Sequence, residues 1–279
     1  MTAHTDGPSR GVEVVRRAAP AGGPTSAKTG GRVVYAVGDV HGRYDLLVEL
    51  LEAIVADVAT LAPADKPLLI FVGDYVDRGP ASAKVVSTLV WLSRHATVEV
   101  AFLRGNHEEM LLTFLAEPDK ALPWLQFGGA ETLAAYDVAV PGDDLAERCW
   151  AVRDALMDRL PASHLQFLRA LPTQVTCGDY VFVHAGLRPG VPLARQDEDD
   201  LLWIRDEFLE GEYRFEKIVV HGHSWTDDMP EVTRYRIGID TGAYATGVLT
   251  AVRLADSTVE FLQARACAPT SAPAATPVA

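Results

Sequence analysis

Side chains that can bind a metal follow an apolar run and a glycine in three successive segments of the sequence. The segments are GDVHG at 38–42, GDYVDRG at 73–79 and GNHE at 105–108. Two later apolar runs end in histidines, His184 in HAG and His223 in GHS. Carboxylate, amide and imidazole ligands without a thiolate suit Mn²⁺, Fe or Zn²⁺ better than Cu(I) or a structural zinc. The pattern therefore indicates metal-dependent chemistry.

The number of candidate ligands points to two metals. Because the carboxyl ends of strands with crossover connections lie along one edge of a sheet, we expect the motifs to converge there. Two ions about 3.5–4 Å apart that share one carboxylate would use all the candidates. A single GD or a single histidine after a strand is usually only part of a turn, but five such strand ends together argue against turns alone. The candidate ligands are Asp39, His41, Asp74, Asn106, His184 and His223.

Short β-branched runs alternate with helical patterns in the first half of the chain and follow one another in the second half. This order predicts a mixed α/β domain. Helices are predicted over 44–58, from Pro80 towards Arg94, and over 107–117 and 145–169. The predicted strands are Val33–Val37, Leu68–Val72, Val98–Leu103, Tyr180–His184, Lys217–Val220, Arg236–Ile239, Gly247–Leu254 and Thr258–Leu262.

Composition sets the expected boundaries and environment. Residues 1–30 and 266–279 are rich in Gly, Ala, Pro, Ser and Thr, so we predict a disordered leader and tail around a catalytic domain at 31–265. A net charge of −13 argues against general affinity for nucleic acid or an anionic membrane. Three cysteines without a CxxC pair, and no apolar run of about 18 residues, favour a cytoplasmic protein. We expect a monomer.

The five motifs together resemble those of the phosphoprotein phosphatase family of binuclear metallophosphoesterases, in particular its bacterial serine/threonine protein phosphatases. The resemblance implies a calcineurin-like metallophosphoesterase fold, a central β-sandwich flanked by helices. It also implies two divalent ions, with Mn²⁺ expected and Fe or Zn²⁺ as alternatives. By resemblance, Asp39 and His41 hold the first ion, Asp74 bridges both, and Asn106, His184 and His223 complete the second. His221, one residue before the GH pair, is expected to be structural.

The resemblance also implies a mechanism. A hydroxide between the two metals attacks phosphorus, and His107 acts as the general acid that protonates the leaving group, oriented by Asp77. Three arginines, with the ligand Asn106, are expected to bind the substrate phosphate because a guanidinium can hold two phosphate oxygens. These arginines are Arg78, Arg104 and Arg205. Asp240 is expected to be structural or to support the ligands.

The motifs leave the substrate open. A serine/threonine protein phosphatase acting on phosphorylated proteins is the leading hypothesis. The alternative enzyme is a symmetrical dinucleoside-polyphosphate hydrolase, but such relatives commonly have alanine in place of Asp77 and GNHD in place of GNHE. A non-catalytic binding module is a remote third alternative, because all six candidate ligands are present. Segment 119–150 is predicted either to form the mouth of the active site or to pack as a helical hairpin.

Overall fold

Two β-sheets lie face to face in the computed structural model of the chain, which describes residues 11–24, 26–62, 65–140, 145–211 and 213–267. The strands are β1 (Val12–Ala18), β2 (Val33–Val37), β3 (Leu68–Phe71), β4 (Glu99–Phe102), β5 (Gln174–Cys177), β6 (Tyr180–Val183), β7 (Ile218–His221), β8 (Glu231–Val232), β9 (Arg236–Gly238), β10 (Val248–Ala255) and β11 (Thr258–Ala266). The helices are α1 (Tyr44–Val58), α2 (Ser82–His95), α3 (Asn106–Ala116), α4 (Gly129–Ala135), α5 (Leu145–Arg159), α6 (Ala162–Arg169), α7 (Glu198–Trp203), α8 (Asp206–Leu209) and α9 (Ala243–Thr246).

The strand order brings the motif-bearing strands together. In the described residues the first sheet has the order β1-β11-β10-β2-β3-β4, and the second has the order β5-β6-β7-β9-β8. β2, β3 and β4 are parallel neighbours, and so are β6, β7 and β9. The carboxyl ends of both parallel sets therefore open towards one edge of the sandwich, which is where strand-end ligands can meet.

Alternate residues of the strands enter different layers of the core. In β2, Val34 and Ala36 pack between the two sheets, whereas Tyr35 packs with α1 on the outer face. In β6, Phe182 packs between the sheets and Val183 packs with α7 and α8. Successive strand side chains point to opposite faces, so one apolar run can serve two cores. The predicted β-sandwich flanked by helices is confirmed.

The predicted disordered leader is wrong for residues 12–18. β1 pairs antiparallel with β11 over its whole length, from Val12 opposite Ala266 to Ala18 opposite Glu260. The strand lies at a sheet edge and buries little, so its sequence lacks a strong apolar pattern, but its backbone groups pair with β11. Residues 1–10 lie outside the described residues.

The predicted tail also begins too early. β11 continues past the predicted Leu262 to Ala266, and the backbone N–H of Cys267 donates to the carbonyl of Gly11. Residues 268–279 of the predicted tail lie outside the described residues. The predicted helix at 145–169 is two helices, since the chain breaks at Pro161 before α6. In the part of the chain that is described, no helix has the length and hydropathy to cross a bilayer.

Candidate metal centre and active site

Buried acidic, amide and imidazole side chains from five strand ends converge at one edge of the sandwich. The donor atoms form two groups, and within each group all atoms lie within 4.8 Å of one another. Asp74 belongs to both groups. One group contains His41 and His107 with Asp74, and the other contains His184 and His223 with Asp74. The sharing of one carboxylate between two donor groups is the arrangement that a two-metal site requires.

Asp74 lies between histidines of different strands. Its Oδ2 is 3.4 Å from Nε2 of His41, and its Oδ1 is 3.4 Å from Nε2 of His184. Burial acts to raise the pKa of Asp74, but the contacts with His184, His107 and His41 outweigh burial and the pKa is lowered. One carboxylate oxygen faces each donor group, which suits a ligand shared by two metals.

The amide of Asn106 completes the second donor group. Its Oδ1 lies 2.8 Å from Nε2 of His184 and 3.0 Å from Nδ1 of His223. Burial lowers the pKa of both histidines, so their rings are neutral, which is the form that binds metals. Burial likewise lowers the pKa of His41 to about 3. The three imidazoles are therefore available as ligands at neutral pH.

Among the six candidate metal ligands, two buried atoms have no hydrogen-bond partner: Oδ1 of Asp39 and Nε2 of His223. Burial and the charges of Asp240 and Asp74 raise the pKa of Asp39, so the site is short of positive charge. An unsatisfied buried polar atom costs about 1–3 kcal/mol unless something binds it. Both atoms, in a set of oxygen and imidazole donors, fit divalent cations.

The backbone of the site is unusual in two ways. Glycines allow the carboxylates to lie against neighbouring loops, because a Cβ at Gly105 would be 2.1 Å from Asp74 Oδ1 and a Cβ at Gly222 would be 2.0 Å from Asp39 Oδ1. Left-handed backbone is also concentrated here, and such conformations cost non-glycine residues about 1–3 kcal/mol each. The site residues with positive φ are His41 (43°), Asp74 (53°), Asp77 (73°), Arg78 (64°) and His223 (66°).

His107 and Asp77 form a buried pair beside the candidate metal ligands. Nδ1 of His107 is 2.6 Å from Oδ2 of Asp77. Burial lowers the pKa of His107, but the carboxylates of Asp74 and Asp77 outweigh burial and the pKa is raised. The other ring nitrogen, Nε2, lies 3.3 Å from Nη2 of Arg78, and both residues line a cavity of about 180 Å³ over the candidate ligands. A histidine placed in this way can transfer a proton at Nε2.

The cavity over the donor groups is polar and contains two of the three predicted arginines. Arg78 and Arg205 both line it, together with Trp225, Asp240 and Tyr244.

The family model for calcineurin-like phosphoesterases matches residues 32–241 of the chain. The chain belongs to the calcineurin-like phosphoesterase family. Serine/threonine-protein phosphatase 1 of Salmonella typhimurium is 29% identical over 233 residues, which are 80% of this chain and 92% of that protein. The asymmetrical bis(5'-nucleosyl)-tetraphosphatase PrpE of a Geobacillus species is 26% identical over 234 residues, which are 78% of this chain and 88% of that protein.

A solved structure resembles this phosphoesterase in fold. A serine/threonine phosphatase from Saccharomyces cerevisiae, similar to human PP5, aligns with a TM-score of 0.51 and 14% identity, covering 89% of this chain and 86% of that chain. This likeness concerns the fold alone, and it is the family match over residues 32–241 that shows the protein to be a metallophosphoesterase. The two relatives have different substrates at nearly equal identity, so identity alone does not select a substrate.

The predicted phosphate-binding role of Arg104 is not supported in this phosphoesterase. Nη1 of Arg104 pairs with Oε2 of Glu109 at 3.0 Å, and Nη2 lies 3.5 Å from the carbonyl oxygen of Arg169. Arg104 is not among the residues that line the cavity. Although it directly precedes GNHE, its side chain is held by α3 and the end of α6, away from the cavity.

The two residues that were expected to be structural have different surroundings. His221 belongs to neither donor group, and its ring packs against Phe208 with centroids 5.0 Å apart. Asp240 lies in the cavity wall, where its Oδ1 accepts a hydrogen bond from the backbone N–H of Gly242 at 2.9 Å. Burial raises the pKa of Asp240 to about 6.

Sequence reasoning missed two residues that hold the site of this phosphoesterase. The Glu108 carboxylate accepts hydrogen bonds from the backbone N–H groups of Asp74, Tyr75 and Gly105 at 2.7–3.0 Å. The hydroxyl of Tyr244 accepts a hydrogen bond from Arg78, whose guanidinium carbon lies 4.4 Å from the tyrosine ring centroid. The GNHE motif contains Glu108, but the motif alone does not indicate that this side chain accepts hydrogen bonds from backbone N–H groups. No sequence pattern indicates that Tyr244 contacts Arg78.

Proposed function

We propose that this metallophosphoesterase is a serine/threonine protein phosphatase that works with two divalent ions, for which Mn²⁺ is the first candidate. The observation that carries the proposal is the 2.6 Å contact between His107 Nδ1 and Asp77 Oδ2 at the cavity wall. A serine or threonine alkoxide is a poor leaving group and needs a proton, whereas a nucleoside phosphate departs far more readily. A fully formed acid pair is therefore most useful to an enzyme that releases an alcohol.

Asp39 and His41 would hold one ion with Asp74. Asp39 belongs to neither donor group, but its unpartnered Oδ1 is available as a ligand. Asn106, His184 and His223 would hold the other ion with the same Asp74. When bound, the ions supply a hydroxide at neutral pH, because they lower the pKa of water from 15.7 towards about 7.

The remaining residues of the cavity act on the substrate. Arg78 and Arg205 bind the phosphoryl oxygens and balance the charge that develops on them in the transition state, with the Asn106 amide beside them. His107 donates the proton on Nε2 to the departing alkoxide. Asp77 holds Nδ1–H and so keeps the ring turned towards the cavity.

A dinucleoside-polyphosphate hydrolase is the second candidate, since a relative of similar identity carries a tetraphosphatase name. The deciding experiment loads the enzyme with Mn²⁺ and compares kcat/KM on a phosphoserine peptide, a phosphotyrosine peptide and diadenosine tetraphosphate. We expect the phosphoserine peptide to turn over fastest. Faster hydrolysis of the dinucleotide would overturn the proposal, and no hydrolysis of any substrate would favour a non-catalytic binding module.

The same assay includes Asp74→Asn as a matched control for contaminating phosphatases. Activity that persists in this variant comes from another protein or from a site that does not use Asp74.

A further inference from the structure

We propose that Trp124 and Thr132 are positioning residues for proton transfer by His107, and that they act through Asp77. The indole Nε1–H of Trp124 donates to Asp77 Oδ2 at 2.7 Å, which is the same oxygen that contacts His107. The hydroxyl of Thr132 donates to Asp77 Oδ1 at 2.6 Å. This inference rests on the proposed function, because it assigns a role within that reaction.

These hydrogen bonds fix the plane of the Asp77 carboxylate. Rotation about its Cβ–Cγ bond would break the bonds from Trp124 and Thr132 together. The Asp77 backbone is fixed as well, since its N–H donates to Thr132 Oγ1 at 2.8 Å. Asp77 is fully buried, so water does not replace a lost donor easily. The direction from which Oδ2 meets His107 is thus set by residues outside the five motifs.

Residues 124–132, which carry the two donors, pack against the loop that contains Asp77 and Arg78. Gly128, with φ 110°, accepts a hydrogen bond from the backbone N–H of Arg78, and a Cβ there would be 2.5 Å from that nitrogen. A Cβ at Gly129 would be 2.5 Å from the Trp124 ring. The Trp124 ring also packs on Phe114 of α3, the helix that carries His107. The glycine pair therefore allows one helical segment to contact Asp77, Arg78 and α3 at once.

A packing role and a positioning role for Trp124 predict different effects of substitution on activity. Trp124 is buried, so a purely structural role predicts that any change lowers activity equally on all substrates. A positioning role predicts a loss that depends on the leaving group, because dinitrophenolate departs without a proton whereas phenolate and serine alkoxide need one. This difference separates the two roles.

The test uses substitutions that keep the shape of the side chain. Trp124→Phe removes the donor to Asp77 Oδ2, and Thr132→Val removes the donor to Oδ1 together with the acceptor of the Asp77 backbone N–H. We expect Trp124→Phe and Thr132→Val each to lower kcat for phenyl phosphate and for a phosphoserine peptide about 10-fold or more, since a positioned acid contributes about 10²–10⁴-fold. On 2,4-dinitrophenyl phosphate the loss should stay within about threefold, with KM unchanged on every substrate. Thr132→Ser, which keeps the hydroxyl, should restore activity.

Two controls make the comparison specific. Phe114→Leu disturbs the packing of Trp124 without touching Asp77 and should affect all leaving groups alike. In an Asp77→Asn background, Trp124→Phe should cause little further loss on phenyl phosphate, because both changes act through one carboxylate. Equal losses on both leaving groups, or losses that add to that of Asp77→Asn, would overturn the proposal.

A second readout does not depend on activity. The ring proton of His107 that contacts Asp77 should give a downfield proton NMR resonance that Asp77→Asn removes. Trp124→Phe and Thr132→Val should shift or broaden this resonance, and an unchanged resonance in both variants would overturn the proposal. A wild type that hydrolyses none of the phosphate esters would refute the proposed function, and the resonance would still decide whether the two residues position His107.

Discussion

Oε2 of Glu108 accepts a hydrogen bond from the backbone N–H of Asp74 at 2.8 Å. The Glu108 side chain of the GNHE motif thus holds the backbone of the GDYVDRG motif at Asp74, the residue that both donor groups share. Burial and the charge of Asp74 raise the pKa of Glu108 to about 7, whereas the backbone donors lower it. The left-handed backbone of Asp74 is kept in place by these bonds rather than by its own preference.

Glu108→Gln should weaken metal binding although residue 108 is not a predicted ligand. The amide NH₂ would face backbone N–H donors and leave them unsatisfied, and loss of such support typically costs about 10–100-fold in metal affinity. Titration calorimetry with Mn²⁺ measures the effect. Glu109→Gln, the next residue along α3, is the control and should leave the affinity unchanged.

Asp74→Asn should abolish hydrolysis while the protein stays folded. The amide has the shape of the carboxylate but no charge to share between two cations, so we expect kcat/KM to fall at least about 1,000-fold, equal to ~4 kcal/mol of transition-state stabilisation. Circular dichroism checks the fold, and calorimetry should give fewer than two Mn²⁺ bound. A variant with near-normal activity would refute the bridging role.

His107→Asn should discriminate between leaving groups. Without the proton at Nε2, phosphoserine peptides should lose far more activity than p-nitrophenyl phosphate, whose leaving group needs little protonation. The comparison of kcat on the two substrates measures this. A uniform loss would mean that His107 acts by holding the site together and not as an acid.

Tyr244→Phe should weaken phosphate binding through Arg78. The phenylalanine ring keeps the contact with the guanidinium but removes the hydroxyl that accepts its hydrogen bond, which is worth about 1 kcal/mol. We expect kcat/KM for phenyl phosphate to fall about fivefold. Tyr213→Phe, at an exposed tyrosine that does not line the cavity, is the control.

Because of Asp57, the free energy of unfolding should decrease at acidic pH. Its carboxylate accepts hydrogen bonds from Tyr35, Arg253 and Arg16, which outweigh burial and lower its pKa. A lowered folded pKa gives stability that is present above the unfolded pKa, about 3.9, and is lost as the pH falls through the folded pKa.

The measurement compares urea unfolding of the wild type and Asp57→Asn from pH 7 to pH 3. The wild type should be more stable by a constant amount down to about pH 5, and the difference should shrink below about pH 4. If the difference is the same at pH 3 and pH 7, the three donors do not stabilise the ionised form.

Sequence patterns predicted the parts of the fold that bury alternating or helical apolar faces. β2 and α1 agree with their predicted limits because both present a clear period of apolar residues to a core. β1 was missed because pairing along a sheet edge is a backbone interaction that leaves little trace in side-chain type. The chain divides into α5 and α6 at Pro161. The apolar periodicity of 145–169 does not indicate this break.

The candidate site shows the same division. The positions of Asp39 and His223 at one edge of the sandwich were predictable, because side chains that directly follow parallel strands lie at the carboxyl edge of their sheet. Arg104 was expected at the cavity because the candidate ligand Asn106 lies two residues later, but its own side chain pairs with Glu109. Trp124 and Thr132 reach Asp77 from about 50 residues away, and only the packing of the chain brings such partners together.

The pairing of β1 with β11 has a consequence for synthesis of the chain. β1 is the first described strand to leave the ribosome, but its hydrogen-bonding partner is the last. Until β11 is made, the backbone groups of β1 and one edge of β10 have no strand to pair with, and unpaired strand edges favour aggregation. The first sheet can therefore be completed only after nearly the whole domain has been translated, which makes the closing of this edge a late event in folding.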